Sequence, residues 1–158
     1  MAGESCDPRF NTQRCTTSSC FARSLDAGTC TAPAMESEPN DSTQTMGAAS
    51  AAVFVRGQLG RFDVDCFAID VPSNGSVYAQ AVNPNGQCTN NVVLDLYAPS
   101  GQWLGSDADA GPQSCPRVDG APYPWARGLS AGTHFVCVRE GNNQIVGAYA
   151  LSATASAP

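Results

Sequence analysis

The sequence has no long hydrophobic run and no cluster of basic residues. No stretch approaches the roughly 18 apolar residues of a membrane span, and residues 1–4 lack the hydrophobic core of a signal peptide. We therefore expect no membrane span, and we expect that any signal has been removed. Only 14% of residues are charged and the net charge is −6. This balance argues against nucleic acid or an anionic membrane as partner and favours cations or neutral polymers.

Histidine is also scarce, since His134 is the only one, and no Cys-x-x-Cys pair occurs. Both absences argue against a zinc site. The eight cysteines instead indicate disulfides and an oxidising, extracellular compartment. They form two even groups that we expect to pair internally: Cys6, Cys15, Cys20 and Cys30, then Cys66, Cys88, Cys115 and Cys137.

Residues 1–34 are predicted to be a separate Cys-rich segment with a short linker at 31–34. The first thirty residues contain few large apolar side chains, so they need two disulfides in place of a core. Three connectivities are possible, and we favour Cys6 with Cys20 and Cys15 with Cys30.

Residues 35–158 are predicted to form one domain, since 158 residues with 42% hydrophobic content suffice for a core. From about residue 52, period-two alternation broken by Gly, Pro and Asn is typical of short antiparallel strands. The pattern predicts an all-β fold, a β-sandwich of about eight strands. The predicted strands are 52–59, 64–72, 75–82, 92–98, 102–105, 123–129, 133–140 and 145–153.

Within this sandwich, we expect Phe67, Ile69 and Val71 to face inward and Cys66 to bridge Cys137 between core strands. Cys88 and Cys115 are expected to close a loop, which would contribute roughly 3 kcal/mol. Without that bridge, the Gly- and Pro-rich stretch 106–123 would be a loose loop.

A short acidic segment, Glu-Ser-Glu-Pro-Asn-Asp at 36–41, precedes the strands. Pro39 favours an extended chain at Glu38, which directs alternate oxygen-bearing side chains to one side. Asp63 and Asp65 stand at the start of a strand and could complete a cage for calcium, which takes six to eight oxygens. The alternative is an acidic turn whose Asn and Asp cap backbone N–H groups.

Five motifs in order resemble the bacterial pre-peptidase C-terminal domain over about residues 36–154. They are Glu36–Asp41, Asp63–Ile69, Leu94–Leu104 with Asp107 and Asp109, Leu129–Val138, and Gly147–Leu151. The resemblance implies a jelly-roll-like, non-catalytic sandwich appended to secreted bacterial proteins, with relatives among the collagen-binding domains of collagenases. It also implies that calcium ties the arriving linker to the domain through Glu36, Glu38, Asn40, Asp41, Asp63 and Asp65.

The chain departs from this family at three places. His134 and Phe135 stand where relatives often have two tyrosines that contribute to collagen recognition, which puts collagen binding in doubt. Cys66 replaces a frequent aromatic residue, and the Cys-rich segment lies outside the resemblance.

Other polar residues offer alternatives to these roles. Gly128–Gly132 matches the Gly-x-Ser-x-Gly nucleophile elbow, but a strand follows Ser130 where the elbow requires a helix, so we expect no enzyme. We expect His134 to be partly exposed and Asp95 to face solvent. Asp107 and Asp109 lie in a solvated turn or, alternatively, in a partial calcium loop.

Three aromatic residues in or beside the long loop, Trp103, Tyr123 and Trp125, form a possible ligand surface, although at least one tryptophan is expected in the core. Together these observations predict a calcium-stabilised accessory or binding module of a protein that is secreted or on the bacterial surface. Its partner would be an extracellular protein or polysaccharide polymer. The alternative is a structural subunit that binds other copies of itself in an extracellular array or filament.

Overall fold

The fold is that of a computed structural model, which describes residues 5–6, 19–22, 28–44, 48–88, 91–111, 114–142 and 147–158. The regular elements named below are strands, together with a short 3₁₀ helix at Pro124–Ala126. The described residues include no helix with the length and hydropathy needed to cross a membrane.

The Cys-rich segment contains a small antiparallel sheet in the order β1-β3-β2. Its strands are β1 (Ser5–Cys6), β2 (Ser19–Ala22) and β3 (Gly28–Thr31). Cys6 is joined to Cys20 across this sheet. Cys30 is disulfide-bonded too, and its expected partner Cys15 lies outside the described residues. A Cβ at Gly28 would lie 2.7 Å from Cys20 Sγ and 2.9 Å from Cys6 Sγ, so only glycine leaves room for the bridge.

The remaining strands form two further sheets, which confirms the predicted antiparallel β-sandwich. One sheet has the order β10-β7-β13-β5-β4, with β11 also on β7, and the other has the order β6-β12-β8-β9. The strands are β4 (Ala34–Met35), β5 (Ala52–Leu59), β6 (Val64–Val71), β7 (Gly75–Val82), β8 (Val92–Tyr97), β9 (Trp103–Asp107), β10 (Arg117–Asp119), β11 (Arg127–Leu129), β12 (Gly132–Glu140) and β13 (Gly147–Ser156).

The two-residue strand β4 pairs in parallel with β5, and an isolated parallel bridge joins Ser50 to Ile69 of β6. The other strands of the sandwich pair in antiparallel fashion. The arrangement is therefore not a strict jelly roll.

The core lies between these two sheets, as the alternation predicts. In β8, Leu94 and Leu96 are fully buried, and in β6 so is Ile69. Phe67 is half-buried and packs against the same core, so the inward face predicted for β6 is confirmed.

The predicted strands agree with the structure best where the alternation is longest. The prediction at 123–129 is wrong for its first half, because Pro124–Ala126 forms the 3₁₀ helix and only Arg127–Leu129 is a strand. The stretch 106–123 is not a loose loop throughout, since it contains β10. Val118 is fully buried there and pairs with Ala79 of β7.

Two disulfides lie in the sandwich. Cys66 and Cys137 stand directly opposite each other on β6 and β12, with a Cα–Cα distance of 4.0 Å. Cys88 is bonded to Cys115, which closes a sequence separation of 27 residues. These pairs match the ones that we expected from the sequence.

Candidate metal centre

The acidic segment 36–41 runs from the end of β4, beside β5, to β6 at the edge of the other sheet of the sandwich. Glu36 N donates to Arg56 O of β5 at 2.9 Å, and Cys66 N of β6 donates to Asn40 O at 2.8 Å. The backbone of the segment thus bridges the two sheets, and its side chains are placed beside the start of β6.

Four carboxylates from two separate parts of the chain converge there. Glu38, Asp41, Asp63 and Asp65 each direct one carboxylate oxygen so that all four atoms lie within 4.8 Å of one another. Asp63 is held in place because its Oδ2 accepts from Gly60 N at 2.9 Å and its Oδ1 from Val64 N at 3.1 Å. Hard oxygen donors gathered in this way suit calcium.

Asp65 is the buried member of this cluster. It has no exposed surface, and its Oδ2 accepts no hydrogen bond from the described residues. Burial is the largest cause that raises the pKa of the Asp65 carboxyl to about 8; the nearby Tyr149 hydroxyl opposes this shift, and Glu36 and Asp63 raise the pKa further. An unpaired buried carboxylate is costly, and a cation bound by the cluster would remove that cost.

Asn40 completes the oxygen set. It is 3% exposed, and one end of its side-chain amide lies 2.6 Å from Glu38 Oε2 and 3.2 Å from Asp65 Oδ1. With nitrogen at that end, the amide donates to both carboxylates; with oxygen there, it adds a further ligand to the cluster. The same residue therefore suits the cluster with or without a cation.

Glu36 lies beside the cluster and has other partners. Tyr149 OH donates to its Oε2 at 2.7 Å, and Gln58 N donates to its Oε1 at 2.6 Å. A Cβ at Gly57 would lie 2.0 Å from Glu36 Oε2, so this contact requires glycine. Glu36 thus fastens the segment to β5 and β13, apart from the four converging carboxylates.

Tyr149 is the residue of this region that sequence reasoning missed. It is fully buried, and burial together with Asp65 and Glu36 raises the pKa of its hydroxyl above the ordinary value. The only signal for it was its place in the resemblance motif at 147–151.

The three aromatic residues of the predicted ligand surface differ in exposure. Trp103 is 55% exposed, and its Nε1 donates to Asp95. Tyr123 and Trp125 stack on each other with ring centroids 4.8 Å apart and pack against the core. A Cβ at Gly105 would lie 2.4 Å from the Trp125 ring, so the ring leaves no room for a side chain there. The expected core tryptophan is therefore Trp125, and a ligand surface at these residues stays a prediction.

Asp107 is buried and organises the loop that follows β9. Its carboxylate accepts hydrogen bonds from Arg117 N at 2.6 Å, Tyr123 OH at 2.5 Å and Ala110 N at 3.1 Å. The solvated turn predicted for Asp107 and Asp109 is correct only for Asp109, which is exposed. Because backbone N–H groups and the Tyr123 hydroxyl already donate to its carboxylate, Asp107 serves as a cap for the loop.

Replacing Tyr123 with Phe is expected to lower the free energy of unfolding by about 1.5 kcal/mol and the Tm by roughly 3–6 °C, since a hydrogen bond to a carboxylate is lost. The Asp107 carboxylate is the first cause that raises the pKa of Tyr123 to about 12. A raised folded-state pKa favours the protonated hydroxyl, so the difference should be full below pH about 10 and vanish above about 12. Thermal melts across this pH range measure it. Tyr97→Phe is the control, and an equal loss there would contradict the assignment.

Asp95 and His134 are both buried, contrary to the prediction. Asp95 does lie on the outer face of β8, as its alternation with leucines implies, but Trp103 and Arg139 cover it and leave it 2% exposed. His134 is 1% exposed, and its Nδ1 lies 3.2 Å from Gly132 O. Ser130 is exposed in the turn between β11 and β12, so the strand-to-helix geometry of a nucleophile elbow is not formed.

The fold and this site define a disulfide-bonded, all-β sandwich with a carboxylate cluster at one edge. No protein-family model and no curated protein matches the chain. Among solved structures, the chain is similar to PliG of Aeromonas hydrophila, a periplasmic inhibitor of g-type lysozyme. The TM-score is 0.50 at 8% identity, over 78% of this chain and 96% of that one. This likeness concerns the fold alone.

The chain is also similar to the pre-peptidase C-terminal domain of a collagenase from Bacillus anthracis. Identity is 15%, the TM-score is 0.45, and the match covers 69% of this chain and 95% of that one. Membership of that family therefore stays a prediction from the sequence motifs.

Proposed function

We propose that this chain is a calcium-stabilised, non-catalytic binding module of an exported bacterial protein. The observation that carries the proposal is Asp65, a fully buried carboxylate with an unpaired oxygen inside a cluster of three further carboxylates. A group of this kind is stabilised by a bound cation, and the oxygen-only donor set favours calcium.

In this proposal, Glu38, Asn40, Asp41, Asp63 and Asp65 hold the ion. Three of these residues belong to the arriving segment, whereas Asp63 and Asp65 belong to the sandwich. Calcium supplies positive charge that offsets their mutual repulsion, so the ion fastens the segment to the domain. Glu36 adds a fastening through Tyr149 and Gln58 that needs no ion.

We also propose that the chain belongs to the pre-peptidase C-terminal family. In this proposal the chain is divided into a Cys-rich segment, residues 1–34, and a sandwich domain, residues 35–158. The five ordered motifs support the family, and the separate small sheet β1-β3-β2 supports the division. The disulfides of both parts favour an exported protein, because such bonds persist in oxidising compartments.

The proposed activity is attachment to an extracellular polymer or surface. Trp103 supports it, since a large aromatic side chain that is 55% exposed on a sheet face is typical of binding surfaces. The alternative partner is another copy of the chain, as in an assembled array.

Size-exclusion chromatography with light scattering separates these two functions. In calcium, the oxidised protein is expected to run as a monomer of 16.3 kDa at all concentrations tested, because a binding module needs no copy of itself. It should also co-sediment with at least one insoluble extracellular polymer. Large particles without co-sedimentation would contradict the binding function and support assembly.

A further inference from the structure

The outer face of the sheet β6-β12-β8-β9 carries a row of aromatic side chains. Tyr97 of β8 stands opposite Trp103 of β9 on one side and Phe135 of β12 on the other. Tyr97 and Phe135 are half-buried, and neither belongs to the side chains packed against the core. The row therefore lies across the face that points away from the sandwich interior.

Asp95 fixes two side chains beside this row. Its Oδ1 accepts from Trp103 Nε1 at 3.1 Å, and its Oδ2 accepts from Arg139 Nε at 2.5 Å. The Asp95 carboxylate is buried, so both hydrogen bonds are shielded from water. The hydrogen bond thus holds the polar edge of the indole and restricts its rotation. A ligand that stacks on the ring therefore loses less conformational entropy than it would on a freely rotating side chain.

The charged groups beside Trp103 are paired. Asp95 and Arg139 form an ion pair whose partners are 3% and 38% exposed, so this pair adds no net charge. The exposed carboxylate of Asp70 lies on the same face but on β6, beyond Phe135 in the row. The whole chain has a net charge of −6, which would repel an acidic polymer at long range. A basic partner would find the carboxylate that Trp103 contacts, Asp95, already paired with Arg139. Charge complementarity therefore favours a neutral ligand.

We infer that this surface binds a neutral polysaccharide; the inference rests on the proposed binding function and names its ligand class. A pyranose ring has an apolar face that can stack on the Trp103 indole and hydroxyl groups at its edge. The terminal nitrogens of Arg139 can donate to those hydroxyls, since only its Nε is engaged by Asp95 and its Nη1 contact with Glu140 O is long, at 3.5 Å. An apolar platform with a few fixed polar groups is the usual composition of such a site.

Co-sedimentation of the protein with insoluble polymers, in a buffer that contains calcium, tests this inference. The polymers are cellulose, chitin, β-1,3-glucan and, for comparison, fibrillar collagen. The wild type is expected to bind at least one of the three polysaccharides. Trp103→Ala should weaken that binding by about tenfold or more, whereas Trp103→Phe, which keeps a flat ring, should retain most of it. Met35→Ala is the matched control, because Met35 is an apolar side chain of even greater exposure, at 74%, far along the chain from this face.

The melting temperature of each variant establishes that it is folded before binding is compared. Binding of a polysaccharide that Trp103→Ala leaves unchanged would overturn the inference. Binding of collagen alone would overturn the ligand class and leave the proposed binding function standing. Failure to bind any of the four polymers overturns the inference, and the light-scattering experiment then decides separately whether the proposed function also fails.

Discussion

The variant Asp65→Asn is expected to lose the stabilisation by calcium while melting no lower than the wild type in chelator. The buried Oδ2 of Asp65 is unpaired without a cation, so a neutral amide removes a cost from the ion-free protein. The same change removes the charge that draws calcium into the cluster. For the wild type, calcium at 100 times its Kd contributes about 2.7 kcal/mol, which raises the Tm of a chain of this size by roughly 5–11 °C.

Asp70→Asn is the matched control for this variant. Asp70 lies on the same strand but is exposed, and it accepts a hydrogen bond from the Thr133 hydroxyl. Its calcium response should equal that of the wild type. Scanning calorimetry of the three proteins, each in calcium and in chelator, measures both effects. A calcium response that persists in Asp65→Asn would place the ion elsewhere.

Removal of the Cys66–Cys137 disulfide is expected to lower the stability more than removal of the Cys88–Cys115 disulfide. The bond closes a separation of 71 residues, and a loop of that length contributes about 4 kcal/mol by restricting the unfolded chain. The double variant Cys66→Ala, Cys137→Ala should therefore melt roughly 8–16 °C lower than the wild type.

The corresponding change at Cys88 and Cys115 is the comparison. Its separation is 27 residues, so a contribution of roughly 3–3.5 kcal/mol is expected, and its Tm should fall by less. Chemical denaturation of both double variants gives the free energies directly. A smaller loss for the Cys66–Cys137 pair than for the Cys88–Cys115 pair would contradict the loop-entropy account.

The strands of the sandwich were predictable because local alternation encodes them. Leu94, Asp95 and Leu96 show this well, since the leucines face the core and Asp95 faces outward, as their spacing requires. Burial of Asp95 was not predictable in the same way. It depends on Arg139, which is 44 residues away in sequence and comes beside Asp95 only when β12 pairs with β8.

The strand β10 escaped prediction for a related reason. It has three residues in a Gly- and Pro-rich stretch, and its place is set by pairing with β7 and by the contacts of Asp107 with Arg117 and Tyr123. None of these contacts is local. The sequence alone therefore indicated a loop where tertiary pairing forms an edge strand.

The four residues of the carboxylate cluster are among the acidic residues that the sequence indicated, but their separate contacts were not predictable. Spacing and family resemblance placed Glu36 and Glu38 in one ligand set. In the structure, Glu36 turns to Tyr149 and Glu38 joins Asp63 and Asp65. The separate positions of Glu36 and Glu38 depend on the space that Gly57 leaves beside Tyr149. Such packing cannot be predicted from the spacing of residues in the sequence.

In the proposed function, calcium joins the segment 36–41 to the sandwich. A thermal melt of the oxidised wild-type protein in excess calcium, repeated after addition of chelator, tests it most directly. We expect the Tm to be higher in calcium by roughly 5–11 °C and to return to the lower value in chelator. Equal melting temperatures, within about 1 °C, would contradict the claim and leave the carboxylates as an acidic turn held by Tyr149 and the disulfides.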